Sequence, residues 1–415
     1  MAFILRSLYL DRIRPLLGTP QIKVITGMRR AGKSVFLRQI MDELRIGGIA
    51  ESHICAIDME DLAFDGLRTY QELAAHIEAY CQAVDGKKYL FIDEVQEIAG
   101  WERVVRHFAK RDDFEVFVTG SNSHLLSSEL STMLAGRFVS IHVHPLCYRE
   151  FLQFRPDGDF NEFVLLGGLP GVVTLDNPRA KQEALEGILH TVLFRDVIAR
   201  FEVRSGALLA DVLKFIAGNI GHPTTTQSIV AYLKSERLSL AFETVRDYLL
   251  HYASAFLVYA VAWEDAIGKR SLNLNHKYYF SDLGLRHRLV TMRDEHRGQV
   301  LENVVYNELL VRGYQVTIGR VKKTPSGEEN LEIDFIAQRQ TINSKGQTAL
   351  DRQYIQVCYL LASAETVERE YRSLRVITDH YPKLVLSMDA DFTAPSGDGS
   401  GIQRQHLVDW LQNSR

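Results

Sequence analysis

Residues 22–34 read IKVITGMRRAGKS. IKVITG is a β-branched run that stops at glycine, as a strand buried in a parallel sheet does. SVFLRQIMDELRI, 34–46, then spaces its apolar residues at helical period and halts at Gly47-Gly48. Between them GMRRAGKS, Gly27 to Ser34, satisfies G-x-x-x-x-G-K-[ST] in the strand–loop–helix setting that the pattern requires. Gly27, Met28, Arg29, Arg30, Ala31 and Gly32 offer a loop whose backbone N–H groups wrap phosphate oxygens. Lys33, Ser34 and Val35 open a helix whose N-terminus adds its positive end. The pattern predicts that Lys33 reaches β- and γ-phosphates and that the Ser34 hydroxyl ligates Mg²⁺.

Working outward, HICAIDM (53–59), KYLFIDEV (88–95) and FEVFVTG (114–120) are further short apolar runs. Helical stretches at 70–84 and 102–110 separate them. Strands alternating with helices predict an α/β parallel sheet covered on both faces. YLFIDE, 89–94, ends an apolar strand in two acids. Asp93 is expected beside Mg²⁺ through water, and Glu94 is placed to polarise an attacking water. In VFVTGSNS, Ser121 or Asn122 would sit near the γ-phosphate as a sensing donor; the alternative is an Asx or Ser turn. In MLAGRF, Arg137 is a candidate arginine finger for a neighbouring subunit, against the alternative of a surface arginine. Arg195 in LFRDVIAR is a weaker second candidate, since an Arg-Asp pair on a helix is more often a salt bridge.

The bulk numbers bound the rest. A chain of 415 residues, 46% hydrophobic and 24% charged, has room for two to three ordinary domains. It has no apolar run of membrane-spanning length, and MAFILRSLYLDRIR is a poor signal peptide. Four scattered cysteines (Cys55, Cys81, Cys147, Cys358) with no C-x-x-C predict neither structural zinc nor disulfides and fit a cytoplasmic setting. The net charge of −4 gives no support to nucleic-acid binding, although a local basic patch remains open.

From about 146 to 216 the pattern is helical, interrupted by LLGGLPGVV at 165–173. TTTQSIVAYLKSE (224–236) and LAFETVRDYLLHYASA (240–255) read as two helices. FLVYAVAW and SLNLNHKYYFSD then flank the turn EDAIGKR, which predicts a winged helix-turn-helix. Its candidate reading helix carries Arg246 and His251 but also Glu243 and Asp247, and its wing tip is Gly268-Lys269-Arg270. That makes a packing or subunit-contact module the stronger reading, against DNA binding. Asp282 is expected to cap the helix that Leu283 and Leu285 pack. A new α/β unit follows: a helix at 298–312, strands near 314–320, 331–337 and 353–359, a helix at 363–379 and a strand at 383–388. Residues 391–401 read as a flexible turn before a last short helix.

GMRRAGKS, YLFIDEVQEI, VTGSNSHLLS, LAGRF and HPLCYREFL together make the N-terminal half resemble AAA+ ATPases. GGLPGVV, LFRDVIAR, KYYFSDLGLRHRLV, GQVLENVVYNELLVRGYQV, EIDFIA and YIQVCY extend the resemblance over nearly the whole chain. The group it resembles is prokaryotic, with a C-terminal domain of unknown function. The resemblance implies bound ATP or ADP, Mg²⁺, and a homo-oligomer, commonly a ring with ATP between subunits. It divides the chain into a P-loop ATPase domain (1–150), a helical lid (151–205), a winged helix (206–292), a unit like PD-(D/E)XK restriction endonucleases (293–390) and a tail (391–415). That last fold implies an acid on its first helix, an Asp opening a strand, and [E/Q]-x-K on the next. Glu302, Asp334 (with Glu332 on the same strand face) and Gln356 match. Cys358 stands where the lysine is expected, and a buried neutral thiol lacks its charge. Lys322, Lys323 and Lys345 are the nearby alternatives. The expectation is an Mg²⁺-dependent ATPase coupling its nucleotide state to a nuclease-like scaffold that has lost its cutting chemistry. The alternatives are an ATP-regulated DNA-binding or defence protein and an ATP-dependent nuclease.

Overall fold

The computed structural model describes residues 4–123, 134, 136–321, 330–342, 346–389 and 401–413. Lys322, Lys323 and Lys345 lie outside the described residues. Five strands build the first sheet: β1 (Ile22–Thr26), β2 (Ile54–Asp58), β3 (Lys88–Asp93), β4 (Phe114–Gly120) and β5 (Phe138–His142). Their order is β2-β3-β4-β1-β5, and every pairing is parallel. The strands β1, β3 and β4 are buried along their whole length, as β-branched and aromatic runs in a doubly covered sheet must be. One face packs Phe36, Ile40, Phe91 and Phe117, and the other packs Leu73, Ile77, Val105 and Phe108. The strand β5 has little sequence signal of its own. FVSIH is only half-buried at the sheet edge, so it carries little of the apolar signal that marks the other four.

A helical region follows: Tyr148–Phe154, Phe160–Leu166, Pro170–Val173 and Pro178–Thr191, the last running into π-helical turns over Val192–Ala199. Helices Gly206–Gly218, Thr226–Ser235 and Phe242–Ser254 come next; Thr225 opens the second with a capping box. The hairpin β6 (Val258–Asp265) and β7 (Arg270–Phe280) turns over 266–269, tighter than the seven-residue turn read from EDAIGKR. Asp282 accepts the Leu285 N–H at 3.1 Å and caps Leu283–Leu289.

The hairpin belongs to the next sheet. With β8 (Gln315–Val321), β9 (Leu331–Ile342), β10 (Thr348–Val357), β11 (Lys383–Ser387) and β12 (Ile402–His406) it forms seven strands in the order β12-β11-β10-β9-β8-β6-β7. Pairing is parallel at β6-β8, β10-β11 and β11-β12, and antiparallel at β6-β7, β8-β9 and β9-β10. The boundary expected at 292/293 therefore falls between strands of one sheet. Helices Arg297–Val311 and Ala364–Arg375 pack on it. β9 and β10 run longer than read from the sequence, and β12 was read as part of the tail because IQRQH is polar. No helix among the described residues is long and apolar enough to cross a membrane.

Candidate functional site

The chain leaves β1 at Gly27 with φ 148°, where a Cβ would stand 2.2 Å from the Val143 carbonyl oxygen. Backbone occupies the place of a side chain, so only glycine passes. Arg30 (φ 68°) and Gly32 (φ 101°) also take left-handed backbone. Such alternation makes the concave backbone that suits anions. The helix Lys33–Ile46 begins with no side-chain cap at Gly32, which leaves its first N–H donors for a ligand.

The loop is held from outside by groups distant in sequence. The Arg6 guanidinium donates to the Ala31 carbonyl at 3.1 Å and pairs with Glu150 at 2.6 and 3.0 Å. Arg29 pairs with Asp196 at 3.1 Å and Glu60 at 3.0 Å. The Met28 sulfur accepts from the Ser281 hydroxyl at 3.2 Å. Arg30 is exposed, while Ser34 and Val35 are half-buried at the helix start.

Parallel β3 and β4 end beside the loop. Lys33 is buried; its Nζ lies 3.2 Å from Glu94 Oε1 and donates to the Met28 carbonyl at 3.4 Å. Asp93 accepts from Thr119 Oγ1. Thr119 Oγ1 also accepts the Glu94 N–H at 2.9 Å, so one hydroxyl orders both acids. Glu94 sits in left-handed backbone, φ 50°, a conformation that costs a non-glycine residue about 1 kcal/mol or more. The two acids are tuned apart. Burial pushes Asp93 above the usual carboxylate range, against the hydrogen bonds from Ser34 and Thr119. Burial also pushes on Glu94, but Lys33, Gln96 and Arg29 outweigh it and hold Glu94 below its ordinary value.

Ser34 and Asp93 bring two hard oxygen donors together, and Asp93 is short of compensating charge. That donor set fits Mg²⁺, which takes few protein ligands beside water and phosphate. Ser121 follows β4 between the phosphate loop and Asp93; it is 1% exposed and its hydroxyl has no partner among the described residues. Asn122 is buried beside it. Arg137 is exposed and lies at the start of β5, where Phe138 pairs with Ile22. It is thus separated from its own phosphate loop by the length of β1, about 13 Å. Arg195 pairs with Glu60 at 2.9 Å and Glu97 at 3.1 Å, not with its neighbour Asp196, which Arg29 takes. Thr119 and Arg6 escaped the sequence reading. Thr119 sits in an apolar strand, and Arg6 is one arginine among several in MAFILRSLYLDRIR.

Residues 19–152, which carry the parallel sheet and the phosphate loop, form a P-loop domain of the AAA type. The AAA domain model matches residues 19–152, and a domain of unknown function, DUF8612, matches residues 157–296. An uncharacterized protein of Haemophilus influenzae is 32% identical over 99% of both chains. The chain belongs to the same family as that protein. A second uncharacterized relative, from Methanocaldococcus jannaschii, is 26% identical over 85% of this chain and 78% of its own. Among solved structures, a Walker-type ATPase of Pyrococcus abyssi superposes with a TM-score of 0.50 at 18% identity, covering 69% of this chain and 96% of that one. At that identity the likeness speaks for the fold alone.

Proposed function

We propose that the protein binds ATP with Mg²⁺ at Gly27–Ser34 and hydrolyses it. The observation that carries this is the convergence of Lys33, Ser34, Asp93 and Glu94 on the end of β1, with Glu94 3.2 Å from Lys33. Lys33 binds the β- and γ-phosphates, and Ser34 and Asp93 hold the cation. Bound there, Mg²⁺ supplies charge neutralisation for the phosphates. Without nucleotide, Glu94 neutralises Lys33. Phosphate oxygens compete for that ammonium and release the Glu94 carboxylate to orient water. Ser121, whose buried hydroxyl has no partner among the described residues, is the γ-phosphate sensor, with Asn122 beside it as the alternative. Arg137, exposed and remote from its own loop, is the finger offered to a neighbouring subunit of a homo-oligomer. Nucleotide state reaches the C-terminal half through Arg29–Asp196 and Met28–Ser281.

In this reading residues 206–292 are a winged helix used for packing, and 293–390 are a nuclease-like scaffold. DNA binding draws less support. Arg246 pairs with Glu243, His251 stacks on Phe201, Lys269 pairs with Asp379 at 3.0 Å and Arg270 lies near Asp265. Each basic group proposed for DNA is already engaged. The scaffold reading rests on Cys358, a buried thiol that burial pushes up to about 12. Phosphate release and fluorescent-ATP binding test the ATPase. Lys33→Ala should lose binding, and Glu94→Gln should bind ATP but turn it over at background rate. Wild-type rates in both variants would sink the assignment.

A further inference from the structure

The acids matched to the nuclease motif meet a lysine that none of the motif spacings points to. Strand β7 carries Lys277 inward, 2% exposed, between β6 and the helix Arg297–Val311. Its ammonium lies 2.5 Å from Glu332 Oε1 and 3.2 Å from Glu302 Oε2. Tyr279 donates to the same Glu302 oxygen at 2.8 Å. Asp334 accepts the Val357 N–H at 2.7 Å, and Gln356 donates to Glu370 at 3.1 Å.

A divalent metal would need carboxylate oxygens turned to a common point. Here those oxygens are taken by an ammonium, a phenol and a backbone N–H. Among the described residues no three His, Cys, Asp or Glu side chains are placed to hold a metal ion. The residues do not fit the cation that the nuclease-like reading implies.

We infer that Lys277 takes the place of that cation: its ammonium closes the Glu302–Glu332–Asp334 cluster and pins the β6–β7 hairpin to the C-terminal half. The charges explain why a cation is required. Burial pushes both Glu302 and Asp334 up, and the neighbouring carboxylates push in the same direction. For Asp334 the largest such push comes from Glu302. Lys277 opposes this at both positions. Removing one partner of a buried ionic cluster strands the others without compensation. The lysine arrives from β7 because the hairpin and the strands β8 to β12 share one sheet. This explains how a chain with Cys358 at the motif lysine position keeps a buried Asp334 beside Glu302 and Glu332.

The test is Mn²⁺ binding to nucleotide-free protein, followed by electron paramagnetic resonance of the free ion. Wild type and Asp334→Asn should bind Mn²⁺ identically. Lys277→Met should gain about one equivalent per chain, lost again in Lys277→Met/Asp334→Asn. A wild-type Mn²⁺ equivalent that Asp334→Asn removes would overturn the inference, and that arm needs no Lys277 variant to fold. So would a folded Lys277→Met that gains no Mn²⁺. So would Mn²⁺-dependent plasmid cleavage lost in Lys277→Met, which would make the lysine catalytic.

Discussion

Arg6 offers the sharpest test of how the phosphate loop is supported. Its guanidinium and the Glu150 carboxylate are each about 3–4% exposed and meet in a two-point pair at 2.6 and 3.0 Å. The remaining guanidinium donors go to the carbonyls of Ala31 and His144 at 3.1 and 3.0 Å. Arg6→Met keeps much of the buried stem and deletes the charge. Glu150 then loses its buried cation and, among the described residues, retains the Cys147 N–H at 3.2 Å. Breaking such a pair from one side costs about 3–5 kcal/mol. Two carbonyls also lose a donor, at about 1–3 kcal/mol each before relaxation. We expect the first urea transition, followed through Trp101, to move by about 3 kcal/mol or more. ATP affinity should fall as well, because the Ala31 turn loses its brace. Glu150→Gln in the same background should recover much of the stability by removing the stranded charge, but little of the affinity. An Arg6→Met transition within about 1 kcal/mol of wild type would refute the reasoning, since it would mean that the pair is hydrated and weak.

Thr119→Val preserves shape and removes the hydroxyl shared by Asp93 and Glu94. Phosphate release should fall by about 10- to 100-fold, the scale of a small misplacement at a reacting centre, with fluorescent-ATP affinity nearly unchanged. Gly168→Ala would place a Cβ 2.1 Å from the Leu146 carbonyl oxygen, so a sharply lowered melting temperature or insoluble expression is expected. Asp282 gives a pH signature: burial raises it to about 6, against hydrogen bonds that include the Gly168 N–H at 2.7 Å. Between pH 4 and 6 the folded state therefore holds the proton that the unfolded chain has released. Stability conferred by this group falls as pH rises through that window, by about 3 kcal/mol in all. Asp282→Asn can keep the cap to Leu285 while giving up the acceptor for Gly168, and it should remove that slope from urea midpoints measured at pH 4 to 7; an unchanged slope would assign the titration elsewhere.

The phosphate loop was legible because its geometry is local. Gly27, Gly32, Lys33 and Ser34 sit within one strand–turn–helix unit, and Asp93-Glu94 end a run whose apolarity marks it as a buried strand. What escaped depends on register between distant segments. Thr119 meets Asp93 because parallel pairing sets Ile92 against Val118. Lys277 meets Glu302 and Glu332 because β6 pairs with β8 across the expected domain boundary, Trp263 against Ile318. No spacing in HKYYF announces that neighbour. The half-exposed FVSIH and polar IQRQH lay at sheet edges, where strands need no apolar alternation. Cys358 was readable as a departure from a lysine pattern, but not the ammonium that answers it from another strand.

The Met28–Ser281 contact also sets an order in time. Met28 is 1% exposed, and the hydroxyl that meets its sulfur lies 253 positions further along the chain. At about 5–20 residues per second, synthesis reaches Ser281 roughly 13–50 s after Met28 has been made. During that interval the nascent loop can adopt its turn but not its final packing. A ribosome-bound chain stalled before Ser281 should therefore hold ATP more loosely than the released protein, so tight nucleotide binding doubles as a mark that the C-terminal half has arrived.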